Sequence, residues 1–382
     1  MDLFFSIIGL FVNVFLIAQI FILSGENFVI LGVFSLLNFV FAFIFQLLGG
    51  VLCKKIAPIF VIRLSTMLAC ALLALIVALQ DQLIHYYFIL GLLWGSTFGL
   101  FMCAYQFLVS KNSEGEDTLS LMSIQLFFFS AVGLIFPVTF GVIINYGNFL
   151  IISAVVLAMG IFQMLATLII KDKPSEGADK KLDIRGYFKA IKKANHLKQG
   201  IQLWLIMSLT GFSNTIVVLT TALVVLTFNT HLSLGVLTSA IYVFVMIISP
   251  LYKKFTRLRR FFYALAVILP LISVLLLVWS THMFFVVLFA AAYRSTRSII
   301  FTEEETTRLN AAKYWKGEEF MMESNLFYES ALAFGAILSA ALVIIVGIFQ
   351  IQWLVILLLA VTVLAFALHG VSLRLWQRAN AY

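Results

Sequence analysis

Residues 171–200 read KDKPSEGADKKLDIRGYFKAIKKANHLKQG, and no other part of the chain is polar for so long. On either side the sequence is almost continuously apolar. Of its 382 residues 63% are hydrophobic and 11% charged, with a mean hydropathy of +1.10. Soluble domains carry about 25% charged residues, so a water-soluble core is excluded and the chain reads as an all-α integral membrane protein. The polar stretch is then a hinge in the sequence. It divides the chain into an apolar half at 1–170, a basic linker at 171–201 and a second apolar half at 202–382.

A membrane-spanning helix needs about 20 apolar residues. That length predicts six spans in each half, at 3–24, 28–52, 58–79, 86–109, 119–145 and 148–170, then at 202–228, 232–251, 261–280, 283–301, 322–347 and 351–372. The opening MDLFFSIIGLFVNVFLIAQIFIL lacks the basic start of a signal peptide and reads as a retained first span.

The net charge of +8 points to membrane edges, not to nucleic acid. With both termini placed in the cytoplasm, every Lys and Arg outside the spans falls on the cytoplasmic side. The exceptions among the 25 are Arg63, Arg294 and Arg297, which lie inside predicted spans. This is the distribution that the positive-inside rule gives for a multi-pass protein of a bacterial cytoplasmic membrane. The linker's IRGYFKAIKKA reads as an amphipathic helix along anionic lipid headgroups, making the bilayer itself a partner. Cys53, Cys70 and Cys103 are odd in number, lie in or beside apolar runs, and read as small buried residues.

The halves repeat each other. LCKKI at 52–56 matches LYKKF at 251–255, WGSTFG at 94–99 matches YRSTRS at 293–298, QLFFFSAVG at 125–133 matches NLFYESALA at 325–333, and FVN at 11–13 matches FSN at 212–214. Offsets of 199 to 201 residues at four landmarks argue for a duplicated six-helix unit in parallel orientation.

With six plus six spans, inside termini and a long basic central loop, the chain resembles the major facilitator superfamily of secondary transporters. The family's signature between spans two and three is a Gly-x-x-x-Asp-Arg/Lys-x-Gly-x-Arg/Lys pattern. Here that place reads GGVLCKKIAPIFVIR, in which Gly49, Lys54 and Lys55 fit while Cys53 replaces the Asp. Span five keeps Gly133, Pro137 and Gly141 of a Gly/Pro-rich exporter motif in GLIFPVTFG. The resemblance implies two pseudo-symmetric six-helix bundles that rock about a midplane site, with Gly49, Lys54, Lys55, Gly133 and Pro137 at gating positions. It also implies that the first helix of each half and span ten line the cavity. Physically, small residues let helices approach where they slide, and a proline loosens one turn.

The repeat isolates four unusual charges. Arg294, Arg297 and Glu329 align with Gly95, Phe98 and Phe129, so the second half is charged where the first is apolar. A central charge costs about 2.5–3.5 kcal/mol on translocon scales and turns toward protein or a water cavity. At 1.5 Å per residue, Arg294 and Glu329 both lie roughly 10 Å from inner boundaries at 301 and 322, with Arg297 roughly 6 Å in. Asn325 shares a helix face with Glu329. Three roles are open: Arg294 as contact to an anionic substrate, Glu329 as a proton-coupling carboxylate, or Arg297 with Glu329 or Glu323 as a static buried pair. We expect Arg294 to bind substrate and Glu329 to hold Arg297. Glu323 lies near the inner surface, where a solvated or gating role is expected. Asn13 and Asn214 are candidate substrate contacts or interhelical hydrogen bonds, and Trp94 and Tyr293, at matching positions, are candidates for a cavity floor.

No phosphate-binding loop, metal spacing or nucleophile–base set is present in the sequence, so no cofactor, metal or enzymatic activity is expected. The expected function is secondary active transport by a monomer of a small organic solute, anionic or amphipathic, with protons as a candidate coupling ion. The alternatives are flipping of a lipid or lipid-linked glycan, and a non-transporting scaffold or sensor, which a cavity plugged by side chains would favour. Orientation is testable directly. A cysteine replacing Glu26 should react with an impermeant thiol reagent in intact cells and one replacing Asp179 should not; the reverse pattern would overturn the topology.

Overall fold

The computed structural model describes residues 2–112, 116–170, 182–228, 230–254, 259–280, 282–316, 320–349 and 351–379. The first part of the linker, 171–181, lies outside the described residues. Among the described residues the secondary structure is helical, without strands.

The first spanning helix, α1, runs through Asp2–Leu10, a wider π-helical segment at Phe11–Leu16, and Ile17–Leu23. There follow α2 (Phe28–Lys55), α3 (Pro58–Leu79), α4 (Tyr87–Asn112), α5 (Glu116–Tyr146) and α6 (Phe149–Ile169). A short linker helix covers Ile184–Lys193. The second half comprises α7 (Leu197–Ser213, resuming as Thr215–Phe228), α8 (His231–Lys254), α9 (Arg259–Trp279), α10 (Met283–Lys316), α11 (Met321–Phe349) and α12 (Gln352–Ala379). Eleven stretches are long and apolar enough to cross a membrane, and one of them, Pro58–Val109, contains both α3 and α4. Twelve spans result.

Local chemistry sets the ends. Asn27 caps α2 by accepting from the Val29 amide at 2.8 Å, and Asn148 caps α6 through Ile151 at 2.9 Å. Pro58 opens α3 where its missing N–H costs nothing. The main departure from the sequence reading is α10. The expected span ends at 301, just before the charged TEEETT at 302–307, yet the helix continues to Lys316. Its carboxylates find partners inside the protein, and that removes the reason for the helix to stop.

Packing follows the repeat. α2 lies on α4 as α8 lies on α10, and α3 packs on α4 and α6 as α9 packs on α10 and α12. The halves meet through two equivalent pairs, α2 with α11 and α5 with α8. Because lipid tails are as apolar as leucine, such contacts rest on close backbone approach. Across α5–α8, a methyl on Gly235 would lie 2.3 Å from the Pro137 carbonyl oxygen. Within the second half, a methyl on Gly335 of α11 would meet the Ser208 carbonyl oxygen of α7 at 1.9 Å. Gly335→Ala should therefore lower the melting temperature of purified protein, by a loss of about 1–3 kcal/mol. Gly9→Ala, where the nearest atom is the Trp94 ring at 3.7 Å, should leave it unchanged; equal melting of the two variants would rule out the α7–α11 backbone contact.

Candidate functional site

Both first helices depart from α geometry at the matched asparagines. Asn13 sits in the π-helical segment of α1, and Asn214 is the break in α7. Each then bonds to the fourth helix of its own half. Trp94 Nε1 donates to Asn13 Oδ1 at 3.1 Å, and Arg297 Nη2 donates to Asn214 Oδ1 at 2.7 Å. Arg297 also reaches the Tyr293 hydroxyl at 3.3 Å and stacks its guanidinium over that ring. Trp94 and Tyr293 are each 1% exposed. They hold first helix to fourth helix and do not floor a cavity. π-segments and helix breaks cluster where a chain must change shape, and here the duplicated unit has kept one in each half.

Arg294 is half-buried and makes no hydrogen bond or ion pair with any described residue. It lines a void of about 10 Å³ with Thr220, Thr221 and Thr238 among apolar neighbours from α7 and α8. That volume holds about one water molecule. The Thr220 and Thr221 hydroxyls are buried and have no partner among the described residues. The sequence reading missed these threonines, although they stand on the helix it had assigned to the cavity. Beside the void, the Tyr242 ring of α8 packs against Gly133 of α5 so closely that a methyl there would come within 2.5 Å. Pro137 continues the same α5–α8 contact.

The basic ends of the helices carry a second polar cluster. Lys54 of α2 forms an ion pair with Glu323 of α11. The same Glu323 oxygen accepts from the Asp183 backbone amide at 3.0 Å, so the linker helix is fastened to this junction. Tyr187 of the linker helix donates to Ser324 at 3.3 Å; burial pushes its phenol up to about 12, which keeps it a donor. Lys55 is exposed, and Gly49 packs against Cys103 of α4. Asn325 is buried beside a small void shared with Gln46, Gln106 and Glu329, and its Oδ1 has no partner there.

The expected Arg297–Glu329 pair does not form. Glu329 accepts from Arg308 of α10 at 2.8 Å and from Gln106 of α4 at 2.9 Å, and Arg308 also binds Glu305 at 2.6 Å. The pairing differs because α10 runs past its expected end at 301. With α10 ending at Lys316 and α11 starting at Met321, Arg308 and Glu329 each lie about 12 Å from the turn between them. Arg297 lies deeper and meets Asn214.

The two halves are thus joined at both ends. At the basic end stand Lys54–Glu323 and Gln106–Glu329. At the opposite end His231 of α8 meets Gln19 of α1 at 3.0 Å, and a methyl on Gly32 of α2 would lie 2.7 Å from Ile344 of α11. Duplicated bundles meeting through α2–α11 and α5–α8 find a direct match in sequence: the model of the Major Facilitator Superfamily matches residues 2–302. The chain belongs to the major facilitator superfamily. Solved structures agree on the fold. The nucleoside transporter NupG is 14% identical with a TM-score of 0.63, covering 100% of this chain and 97% of its own. The fucose:proton symporter FucP of E. coli is 14% identical with a TM-score of 0.59, covering 98% of each chain. The human organic anion transporter MFSD10 (TETRAN) is 15% identical with a TM-score of 0.62, covering 90% of this chain and 84% of its own. No curated protein matches the sequence. Secondary transport is the activity of this superfamily, and a multi-pass membrane transporter is what the chain is.

The Arg308 cluster makes an asymmetric prediction. Removing the guanidinium leaves two buried carboxylates facing each other, so Arg308→Gln should destabilise by about 3–5 kcal/mol. Glu329→Gln should cost less, because Glu305 still neutralises Arg308. Thermal unfolding of both variants checks the order, and equal losses would contradict the shared-guanidinium geometry.

Proposed function

We propose that the chain carries a small organic anion across a bacterial cytoplasmic membrane, with both termini in the cytoplasm. It works as a monomer, by rocking of the 1–170 and 202–382 bundles about a site centred on Arg294. The observation that carries this reading is the unpaired guanidinium beside hydroxyls without partners. A cation in hydrocarbon is retained where something pairs with it, and no described side chain does so for Arg294. A carboxylate or similar oxyanion would accept a bidentate pair from the guanidinium and further hydrogen bonds from the threonines. The sparse polarity of the lining disfavours a sugar, whose hydroxyls need many partners. Protons are the proposed coupling ion. Among fold relatives, MFSD10 is an organic anion transporter and FucP a proton symporter, and both are compatible with this reading.

Because the void admits about one water, the described conformation is closed around the site, and binding requires the bundles to part. The same small volume is the observation that favours a second reading, a chain that has kept the fold without moving a solute. A thermal-shift screen of purified protein against organic anions, drugs and lipids separates these outcomes. Stabilisation by anions is expected, Arg294→Ala should abolish it while the protein stays folded, and Arg294→Lys should restore it only in part, lacking the planar fork. Undiminished anion binding by Arg294→Ala would end the assignment. No ligand response together with no uptake in vesicles would select the second reading, and stabilisation by lipid-linked glycans alone would select flipping.

A further inference from the structure

Around the inner part of α10, among the described residues, Glu304, Glu305 and Glu329 gather near the guanidinium of Arg308, with Glu303 adjoining in sequence. Glu305 and Glu329 share Arg308. Glu303 accepts from Tyr252 and, through its other oxygen, from Gln377 at 3.3 Å. Glu304 is left with a different environment. It is 3% exposed, and its Oε2 accepts from the Thr210 hydroxyl of α7 at 3.1 Å. The same oxygen faces His369 Nε2 of α12 at 3.6 Å, too far for a hydrogen bond. His369 is 0% exposed, and neither of its ring nitrogens has a hydrogen-bond partner in the structure. A buried imidazole with both nitrogens orphaned, beside a buried carboxylate that no cation contacts directly, is costly as it stands. One added proton, shared between Glu304 Oε2 and His369 Nε2, lowers that cost.

We propose that Glu304 and His369 together form the proton-carrying site of this transporter; this rests on the proton-coupled transport proposed above. A proton from the aqueous phase adds to the pair, either as a carboxyl O–H donating to His369 Nε2 or as an imidazolium N–H donating to Glu304 Oε2. Both forms have the same net charge and close the 3.6 Å gap to a hydrogen bond. Release returns the proton to water and leaves an anionic carboxylate beside a neutral ring.

The surrounding charges support this choice over Glu329. On α10 the pair has Glu305, Arg308 and Arg297 as charged neighbours. α11 presents Glu329 to Arg308, α12 carries Arg374 stacked on Tyr263 of α9, and α8 brings Tyr252 to Glu303. With Glu305 and Glu329 already dividing one guanidinium, an ionised Glu304 adds a further negative charge in a medium that screens poorly. Glu329 already has Arg308 and Gln106 as partners and belongs to the contact between bundles. The link to the substrate region is α7. Thr210 donates to Glu304, and four residues on, at the helix break, Asn214 accepts from Arg297. Arg297 and Glu304 are seven residues apart on α10, two turns along one face. A change in the α7 break that moves Asn214 therefore moves Thr210 and alters the environment of the pair.

The test uses the full chain in lipid vesicles. Infrared difference spectra between high and low pH should show a protonated-carboxyl band that disappears in Glu304→Gln and shifts in His369→Asn. His369→Asn keeps the carboxylate and serves if Glu304→Gln folds poorly. An unchanged band in both variants would overturn the proposal. The second arm follows labelled lactate, benzoate and p-aminohippurate under an imposed pH gradient. One pH unit supports at most about tenfold accumulation per proton. Glu304→Gln should bring that ratio to one while exchange of preloaded anion persists. Wild-type accumulation in Glu304→Gln would also overturn the proposal. Titration of the band in a wild-type protein that accumulates none of the three anions would leave the pair as a proton site and count against the proposed transport function instead.

Discussion

Hydrocarbon offers a polar side chain nothing to bond to, so every polar group that enters the membrane core must be given a partner by the chain. In the N-terminal half Trp94 donates to Asn13, Gln19 and Gln106 bond across to the other half, and Gln163 is buried with neither amide atom partnered among the described residues. The C-terminal half admits charges and arranges its helices to answer them. α10 could not run to Lys316 unless Glu303, Glu304 and Glu305 met Tyr252, Thr210 and Arg308. α12 brings His369 and Gln377 to the same cluster. Arg294 and His369 are among the groups left without a hydrogen-bond partner by the described residues, and the proposed substrate and proton would complete them.

The duplication gives this asymmetry its shape. Both halves bend or break the first helix at an asparagine and tie that asparagine to the fourth helix. In the first half the tie is an aromatic N–H, apolar apart from one hydrogen. In the second it is a guanidinium, with Tyr293 in the place of Trp94 acting as its support. The scaffold contact came first in the sense that both halves need it; the charge is laid over it. In the proposed function, substrate-facing chemistry is added to one half of a symmetric frame, and the other half serves as the apolar wall against which it moves.

Much of this was legible in the residues. Apart from the inner ends of α10 and α12, hydropathy placed the spans to within a few residues, because a run of about 20 apolar side chains has few other uses, and the common offset of KK, ST and FVN/FSN located the repeat. Lys54 and Glu323 were each assigned to the inner surface, but nothing in the sequence joins residues so distant, and their pairing with the linker helix emerged only from packing. TEEETT misled for a different reason. Three adjacent carboxylates resemble a solvated loop in any window of composition; Glu305 pairs with Arg308 three residues on, but the partners of Glu303 and Glu304 lie on α7, α8 and α12, where no local pattern points back to them. Thr220, Thr221 and Thr238 escaped notice because a threonine in a membrane helix normally satisfies itself by bonding back one turn, as Thr296 does to Ala292 at 2.7 Å; that these do not is visible only in three dimensions.

The two ends of the inter-bundle contact are built from different physics, and this bears on how the protein would open. At the basic end the halves are joined by charge, through Lys54–Glu323 and Gln106–Glu329. Those groups have water or ions as alternative partners once the helices separate, so part of what is broken is regained. At the opposite end the joint is close backbone packing, with Gly32 against Ile344, Gly347 against Phe28, and Gly141 against His231 and Gly235. Dispersion contacts of this kind vanish within an ångström of separation and have no substitute in water. The closed state is thus held by a joint that ionic strength can loosen on one side and, on the other, by one held mainly by shape beside the His231–Gln19 hydrogen bond. The linker helix, bonded to Glu323 through the Asp183 amide, sits on the electrostatic joint, so whatever draws that helix toward a lipid surface acts first on the basic end.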